Sequence, residues 1–299
     1  MVAMVADSLV AVRPLGSALG AEIPGIDLAR DVDDTVFAQI EKAWHDHLVL
    51  RVRGQSLSDL QLMEFSARFG ALDKVPVRTQ GVLAQDDPAT GVAPEGRDFV
   101  TIISNVKVNG QAIGGLGNYE SVWHTDMSYN PVPPMASALY ALEVPPSGGD
   151  TGFSNMYLAY ETLSDALRRR IAGLHCIHDA SRNSAGELRR GFEDTTDPRK
   201  TVGAEHPLVR THPVTKRKAL FLGRRRNAYI VGLPIDESER LLDTLWQHAA
   251  QPQFCWTQVW KPGDLIIWDN RCVMHRRDAF DGNARRVMHR TQMCGDTPY

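Results

Sequence analysis

Along this chain the hydrophobic period switches between helical and extended, and the extended period dominates. From Asp33 to His47, Phe37, Ile40 and Trp44 recur at helical spacing, and Leu48-Val-Leu-Arg-Val52 follows as a β-branched-rich strand stopped by Gly54. Ser58-Asp-Leu-Gln61 has the form of a capping box, which predicts a second helix with Leu60, Met63 and Ala67 on one face before Gly70. Phe99 to Ser104 and Ala136 to Val144 read as strands, the latter closed by the turn Pro145-Pro-Ser-Gly-Gly149. Ser164 can cap a short helix ending at Gly173. His206–Thr211 and Lys218–Leu222 read as a hairpin. Asp236 and Glu239 open a helix with Leu241, Leu242, Leu245 and Trp246 on its buried side. Phe254–Trp260, Asp264–Asp269 and Arg286–Met293 complete the set as strands. Two stretches break the periodicity: 73–118, rich in Gly, Pro and Asn, and 182–205, polar and aperiodic, which reads as a surface insertion. Many short strands with few helices predict a mainly β fold with flanking helices, a sandwich or jelly roll. The expectation is a single domain over 1–299, with loop or lid insertions near 73–118 and 182–205.

Composition narrows the function classes. With 43% hydrophobic and 23% charged residues and a net charge of −3, the chain has no electrostatic case for nucleic acid, so a small-molecule partner is expected. Cys176, Cys255, Cys272 and Cys294 are widely spaced, which suits reduced thiols and a cytoplasmic location. No apolar run approaches a membrane span, and no membrane partner is expected.

The candidate chemistry centres on Tyr119-Glu-Ser-Val-Trp-His-Thr-Asp-Met-Ser-Tyr129. On a strand, His124 and Asp126 would face the same way. A histidine and a carboxylate, completed by a distant histidine, make the 2-His-1-carboxylate facial triad that leaves metal positions open. His-x-Asp arises by chance in many proteins, so the third ligand decides; His275, placed at a strand end beside a turn, is the best candidate. His45 and His47 would point apart on a helix. His178, His206, His212 and His248 have no recognisable context. On the last strand Arg286, Met288 and Arg290 alternate to one face, so two guanidiniums point together; if that face is internal, anionic ligands are implied.

Together His124-Thr125-Asp126, Gly148-Gly-Asp-Thr151, Trp268-Asp-Asn-Arg271, His275 and Arg286-Val-Met-His-Arg290 resemble the taurine dioxygenase and 2,4-dichlorophenoxyacetate dioxygenase (TauD/TfdA) family, from about Arg13 to Gly295. The resemblance implies a double-stranded β-helix, a cupin-like jelly roll, with Fe(II) as metal and 2-oxoglutarate and O2 as co-substrates. It makes His124, Asp126 and His275 the metal ligands. Thr151 and Arg286, 27 residues after His124 and 11 after His275, match the residues that hold the distal carboxylate of 2-oxoglutarate. Arg290 falls where taurine dioxygenase grips the substrate sulfonate, Trp268 near the iron, and Met127 and Tyr129 in the substrate wall. Asn105, in Ile103-Ser-Asn-Val-Lys107, is a further substrate-site candidate of the phenoxyacetate branch. Val75 replaces a sulfonate-binding histidine, and Arg78 stands near a basic position of the phenoxyacetate enzyme; it is either a substrate anchor or a solvated loop residue. Glu120 replaces an asparagine and would pair with an arginine or meet a substrate cation. The family also implies a homo-oligomer, dimer or tetramer.

The expected activity is hydroxylation of a small anionic substrate, a sulfonate, sulfate ester or aryloxyalkanoate, followed by C–S or C–O cleavage. Two alternatives share these residues. A zinc hydrolase could use the same triad, and a non-catalytic sensor could bind 2-oxoglutarate or another anion on the same fold.

Overall fold

The protein is described from a computed structural model that covers residues 10–30, 32–75, 82–84, 86–119, 121–189, 191–223 and 227–299. Twelve strands build two sheets, numbered here in chain order: β1 Arg13–Pro14, β2 Ala21–Glu22, β3 Val49–Val52, β4 Thr101–Ser104, β5 Gly115–Leu116, β6 Ser121–His124, β7 Ala136–Glu143, β8 Thr151–Asn155, β9 Cys255–Gln258, β10 Leu265–Asp269, β11 Val273–Arg277 and β12 Val287–Met293. The larger sheet runs β1-β2-β3-β10-β7-β12-β4-β5 and the smaller β9-β8-β11-β6. Every pairing in the smaller sheet is antiparallel.

The alternation of side chains explains why the central strands read as continuous apolar runs. In β10, Ile266 and Trp268 enter the core between the sheets, whereas Leu265 and Ile267 face the opposite side; β7 divides Leu139 and Ala141 from Ala136, Ala138 and Tyr140 in the same way. That opposite side is covered by α1, Asp34–His47, and α2, Asp59–Ala67, through Phe37, Ile40, Trp44, Leu62 and Phe65. The larger sheet is therefore buried on both faces, and the jelly-roll architecture expected from the sequence is present.

Local expectations hold with two amendments. Ser58 and Gln61 make the reciprocal capping box, and Ser164 caps Asp165–Ile171. The helix Ile235–Ala249 buries Leu242 and Leu245, with Leu241 and Trp246 packed beside them. The face of α2 differs: Leu60 is exposed and so is Ala67, while Leu62 and Phe65, with Phe69 just past the helix, join the core on this side of the sheet, where α2 packs on β12. The second amendment concerns 182–205. Val122 N–H donates to Ser184 O and Ala204 N–H to Tyr129 O, which straps this segment across the strand that carries His124. Much of the segment is exposed, as a surface insertion would be, but Ser184, Arg189, Phe192 and Ala204 also line the cavity. The other irregular region has a small core of its own, built from Val92, Val100, Ile102, Val106, Ile113 and Val287.

Candidate active site

Three elements converge at one mouth of the sandwich. His124 ends β6 and His275 lies in the middle of β11, directly opposite it in the antiparallel register. Cross-strand partners share a face, so the two imidazoles meet with ring centroids 4.2 Å apart. The strand-end position expected for His275 is thus replaced by a position within the strand. Asp126 lies beyond the end of β6, in a turn, so strand alternation does not aim it. Its aim comes from tertiary bonds: Oδ2 accepts from Ser137 Oγ at 2.8 Å and from Gln292 Nε2 at 3.3 Å, and Arg290 Nη1 reaches both oxygens at 3.1 Å. Asp126 Oδ1 then stands 3.7 Å from His124 Nε2 and 3.8 Å from His275 Nε2.

The donor set fits a divalent transition metal. All three ligand atoms lie within 4.8 Å of one another and all three residues are buried. His124 Nδ1 donates to Val122 O at 2.7 Å, which leaves its Nε2 lone pair for a metal, the arrangement that orients most metal-binding imidazoles. Burial alone would raise the Asp126 carboxyl, but Arg290 and the two histidines hold it well below the usual carboxylate range, so it is an anionic ligand at neutral pH. Trp268 packs on His275 at 4.8 Å between ring centroids, with its indole N–H fixed on Asn270 Oδ1 at 2.7 Å.

The same cavity, of about 820 Å³, holds Thr151, Arg286 and Arg290 in its lining. Thr151 opens β8, and its hydroxyl accepts the Trp260 indole N–H at 2.9 Å, so its own proton is free to donate into the cavity. The Gly148-Gly149 turn before it sits on the turn that leads to Arg286: Gly148 pairs with Phe280 at φ +74°, where a Cβ would come within 2.7 Å of Ala279 O. The motif glycines therefore bring Thr151 and Arg286 together. A third buried guanidinium, Arg277, also lines this end. Burial pushes Arg286 down to about 9, with the like charge of Arg277 adding to the effect and Asp150 opposing it; burial pushes Arg277 down to about 10. The sequence reading passed over Arg277, although it lies two residues after His275 on one strand and so shares its face.

The remaining wall is mostly apolar and includes Val75, Ile102, Leu116, Leu139, Phe192 and Val202. Met127, at φ +46°, and Tyr129, both expected in the substrate wall, line this cavity. Arg189, from the strapped segment, also lines the cavity and stacks on the Tyr129 ring with its guanidinium carbon 3.8 Å from the centroid. No sequence period marked it. Asn105 does not line the cavity: its side chain donates to Gly282 O and Ala284 O and accepts from the Arg286 backbone N–H, which fixes the turn before β12. Its expected substrate role thus gives way to a structural one. Arg78 and Glu120 lie outside the described residues.

A second cluster, His45, His212 and Asp269, also brings metal-capable atoms together. Its chemistry is different. Both Asp269 oxygens are taken by Arg271 and His212, and His212 Nδ1 accepts two backbone N–H groups, so its Nε2 carries the proton given to Asp269. This is a buried charge network that ties the 212–215 turn to the β10–β11 turn.

The chain matches the family model described as "Taurine catabolism dioxygenase TauD, TfdA family" over residues 11–292. It is 35% identical to an alpha-ketoglutarate-dependent 2,4-dichlorophenoxyacetate dioxygenase of Cupriavidus pinatubonensis, covering 96% of this chain and 98% of that protein. It is 33% identical to a pentalenolactone F synthase of Streptomyces arenae, over 95% of this chain and 94% of the relative. The crystal structure of AAD-2 in complex with Mn(II) and N-oxalylglycine superposes with a TM-score of 0.75 at 32% identity, covering 97% of this chain and 98% of that one. With a His-Asp-His centre and a cationic recess in one cavity of a jelly roll, and with this kinship along nearly its whole length, the chain belongs to the TauD/TfdA family of 2-oxoglutarate-dependent dioxygenases.

Proposed function

We propose that this enzyme uses Fe(II) at His124, Asp126 and His275 to couple oxidative decarboxylation of 2-oxoglutarate to hydroxylation of a small anion with a sizeable apolar body. A sulfonate, a sulfate ester or an aryloxyalkanoate would fit. The observation that carries this is the opening of the triad into the same cavity as Thr151 and Arg286, with apolar wall elsewhere. Metal and 2-oxoglutarate, when bound, supply the oxidising chemistry: one oxygen atom of O2 enters a substrate C–H bond and the other leaves in succinate, with release of carbon dioxide. If the attacked carbon bears oxygen or sulfur, the hydroxylated product breaks at that bond.

The chain's own groups position and exclude. The imidazoles and Asp126 face one point from three directions and leave the remaining directions for ligands. Arg286, with its guanidinium buried, and Thr151, with its hydroxyl proton left free to donate, suit a carboxylate in this recess. Val75, Leu139 and Phe192 keep water from the substrate's body. Arg290 lies between the metal point and this wall, and its Nε has no partner among the described residues, so it can meet a substrate anion while it still holds Asp126. Arg78 and Glu120 are kept as candidate substrate contacts on the basis of sequence alone. A cytoplasmic setting belongs to the same proposal, supported by four free thiols.

The test is oxygen-coupled succinate formation with Fe(II) against sulfonates, alkyl sulfates, phenoxyalkanoates and betaines. Stoichiometric succinate with one class supports the reading. Hydrolysis with zinc and no oxygen would establish the hydrolase alternative, and tight 2-oxoglutarate binding with no turnover of any member would establish the sensor.

A further inference from the structure

Arg277 and Arg286 make an unusual pair for a protein interior. Their residues are 6% and 1% exposed, both line the cavity, and each keeps two buried nitrogens, Nε and Nη1, without a hydrogen-bond partner among the described residues. Arg277 spends only Nη2 on the protein, donating it to Leu116 O at 2.9 Å and to Tyr119 O. Neither guanidinium forms a salt bridge among the described residues, and the neighbouring Asp278 is paired with Arg276. Two buried like charges with four unmet donors are costly unless an acceptor of opposite charge enters between them. Arg277 faces Thr151 directly in the β8–β11 register, so the donors of Arg277, Arg286 and Thr151 all belong to one recess.

We propose that Arg277 is a second guanidinium for the distal carboxylate of the co-substrate, so that this enzyme grips the far end of 2-oxoglutarate between two arginines and rejects keto acids that lack that carboxylate. The inference deepens the dioxygenase reading and rests on it. A purely structural role for Arg277, pinning the 116–119 segment through Nη2, would leave Nε and Nη1 unexplained.

The experiment compares 2-oxoglutarate with 2-oxopentanoate, which keeps the keto-acid head and carbon count but ends in a methyl group. Calorimetric binding to the Mn(II)-loaded full chain, without oxygen, gives dissociation constants independent of turnover. In Arg277→Met, affinity for 2-oxoglutarate falls by about 10–100-fold, the range for a lost charged hydrogen bond, while affinity for 2-oxopentanoate changes by less than about threefold. Arg277→Lys falls between wild type and Arg277→Met for 2-oxoglutarate. Because Arg277→Met can disturb folding, Arg286→Met provides a second measurement with Arg277 intact: it retains a preference for 2-oxoglutarate of about tenfold or more. The inference is overturned if Arg277→Met binds 2-oxoglutarate like wild type, if it weakens both keto acids equally, or if the preference vanishes in Arg286→Met. Failure of the wild type to bind 2-oxoglutarate at all overturns the dioxygenase reading and this inference with it.

Discussion

Asp126 turns Oδ1 toward His124 and His275 and has Oδ2 held by Ser137 and Gln292. Ser137 and Gln292 bond only Oδ2, whereas Arg290 bridges both oxygens from the side that faces the cavity. The two kinds of support should separate on substitution. Ser137→Ala loosens the carboxylate without touching any ligand pocket, so metal affinity is expected to fall by about tenfold, in the range for partners of metal ligands, with substrate KM unchanged at saturating metal. Arg290→Gln is expected to raise substrate KM far more than 2-oxoglutarate KM, and also to weaken the metal. Metal titration followed by steady-state kinetics on both variants checks the split, and equal shifts in the two Michaelis constants for Arg290→Gln would refute its assignment to the substrate. His124 and His275 are brought together by their strand register, and Val122 O fixes the His124 ring.

Among the elements, the turn between β10 and β11 holds a buried ion pair, Arg271 with Asp269. Burial alone would raise the Asp269 carboxyl, but Arg271 and His212 hold it far below its ordinary value of 3.8. A folded-state pKa below the unfolded one adds stability that is full above the unfolded value and is lost as pH falls toward the folded value. Asp269→Asn leaves Arg271 buried without its counter-charge, at a cost of about 3–5 kcal/mol near neutrality. Its stability should also depend less on pH below about 4 than that of the wild type. Urea unfolding at pH 7 and across the acid range measures both effects. These elements also show what the sequence made legible. Strands buried on both faces announced themselves as apolar runs, and the capping box at Ser58 was readable because its bonds are local. The position of Asp126, the roll of α2 and the entry of Arg189 into the cavity depend on contacts between segments far apart in sequence, which no local period encodes. Arg277 was within reach of strand alternation, once β11 was seen to continue past His275.

At the scale of the whole molecule, the cavity is assembled from both sheets, the strapped segment 182–205 and the irregular region before β6, so ligands engage widely separated parts of the chain. Ligands that bind only the folded form stabilise it by mass action. With Mn(II) and N-oxalylglycine each at about 100 times its dissociation constant, the midpoint of thermal unfolding is expected to rise, since each saturating ligand adds about 2.7 kcal/mol at that excess. Calorimetric melting with metal alone, inhibitor alone and both together checks this, and the rise with both should exceed that with either. The family resemblance was legible because the motif residues, though distant from one another in sequence, keep fixed intervals; the arrangement of the wall was not, because most of it is generic apolar surface.

The packing of Trp268 on His275 has one more consequence. An indole 4.8 Å from the His275 ring, buried and with its N–H fixed, sits where a paramagnetic ion held by the triad would extinguish its light emission. Of the six tryptophans in the chain, Trp268 is in ring contact with His275. Loading with Mn(II) should therefore dim the intrinsic fluorescence in proportion to occupancy, and Trp268→Phe should abolish most of that change, which gives the protein a built-in optical gauge of its own metal content.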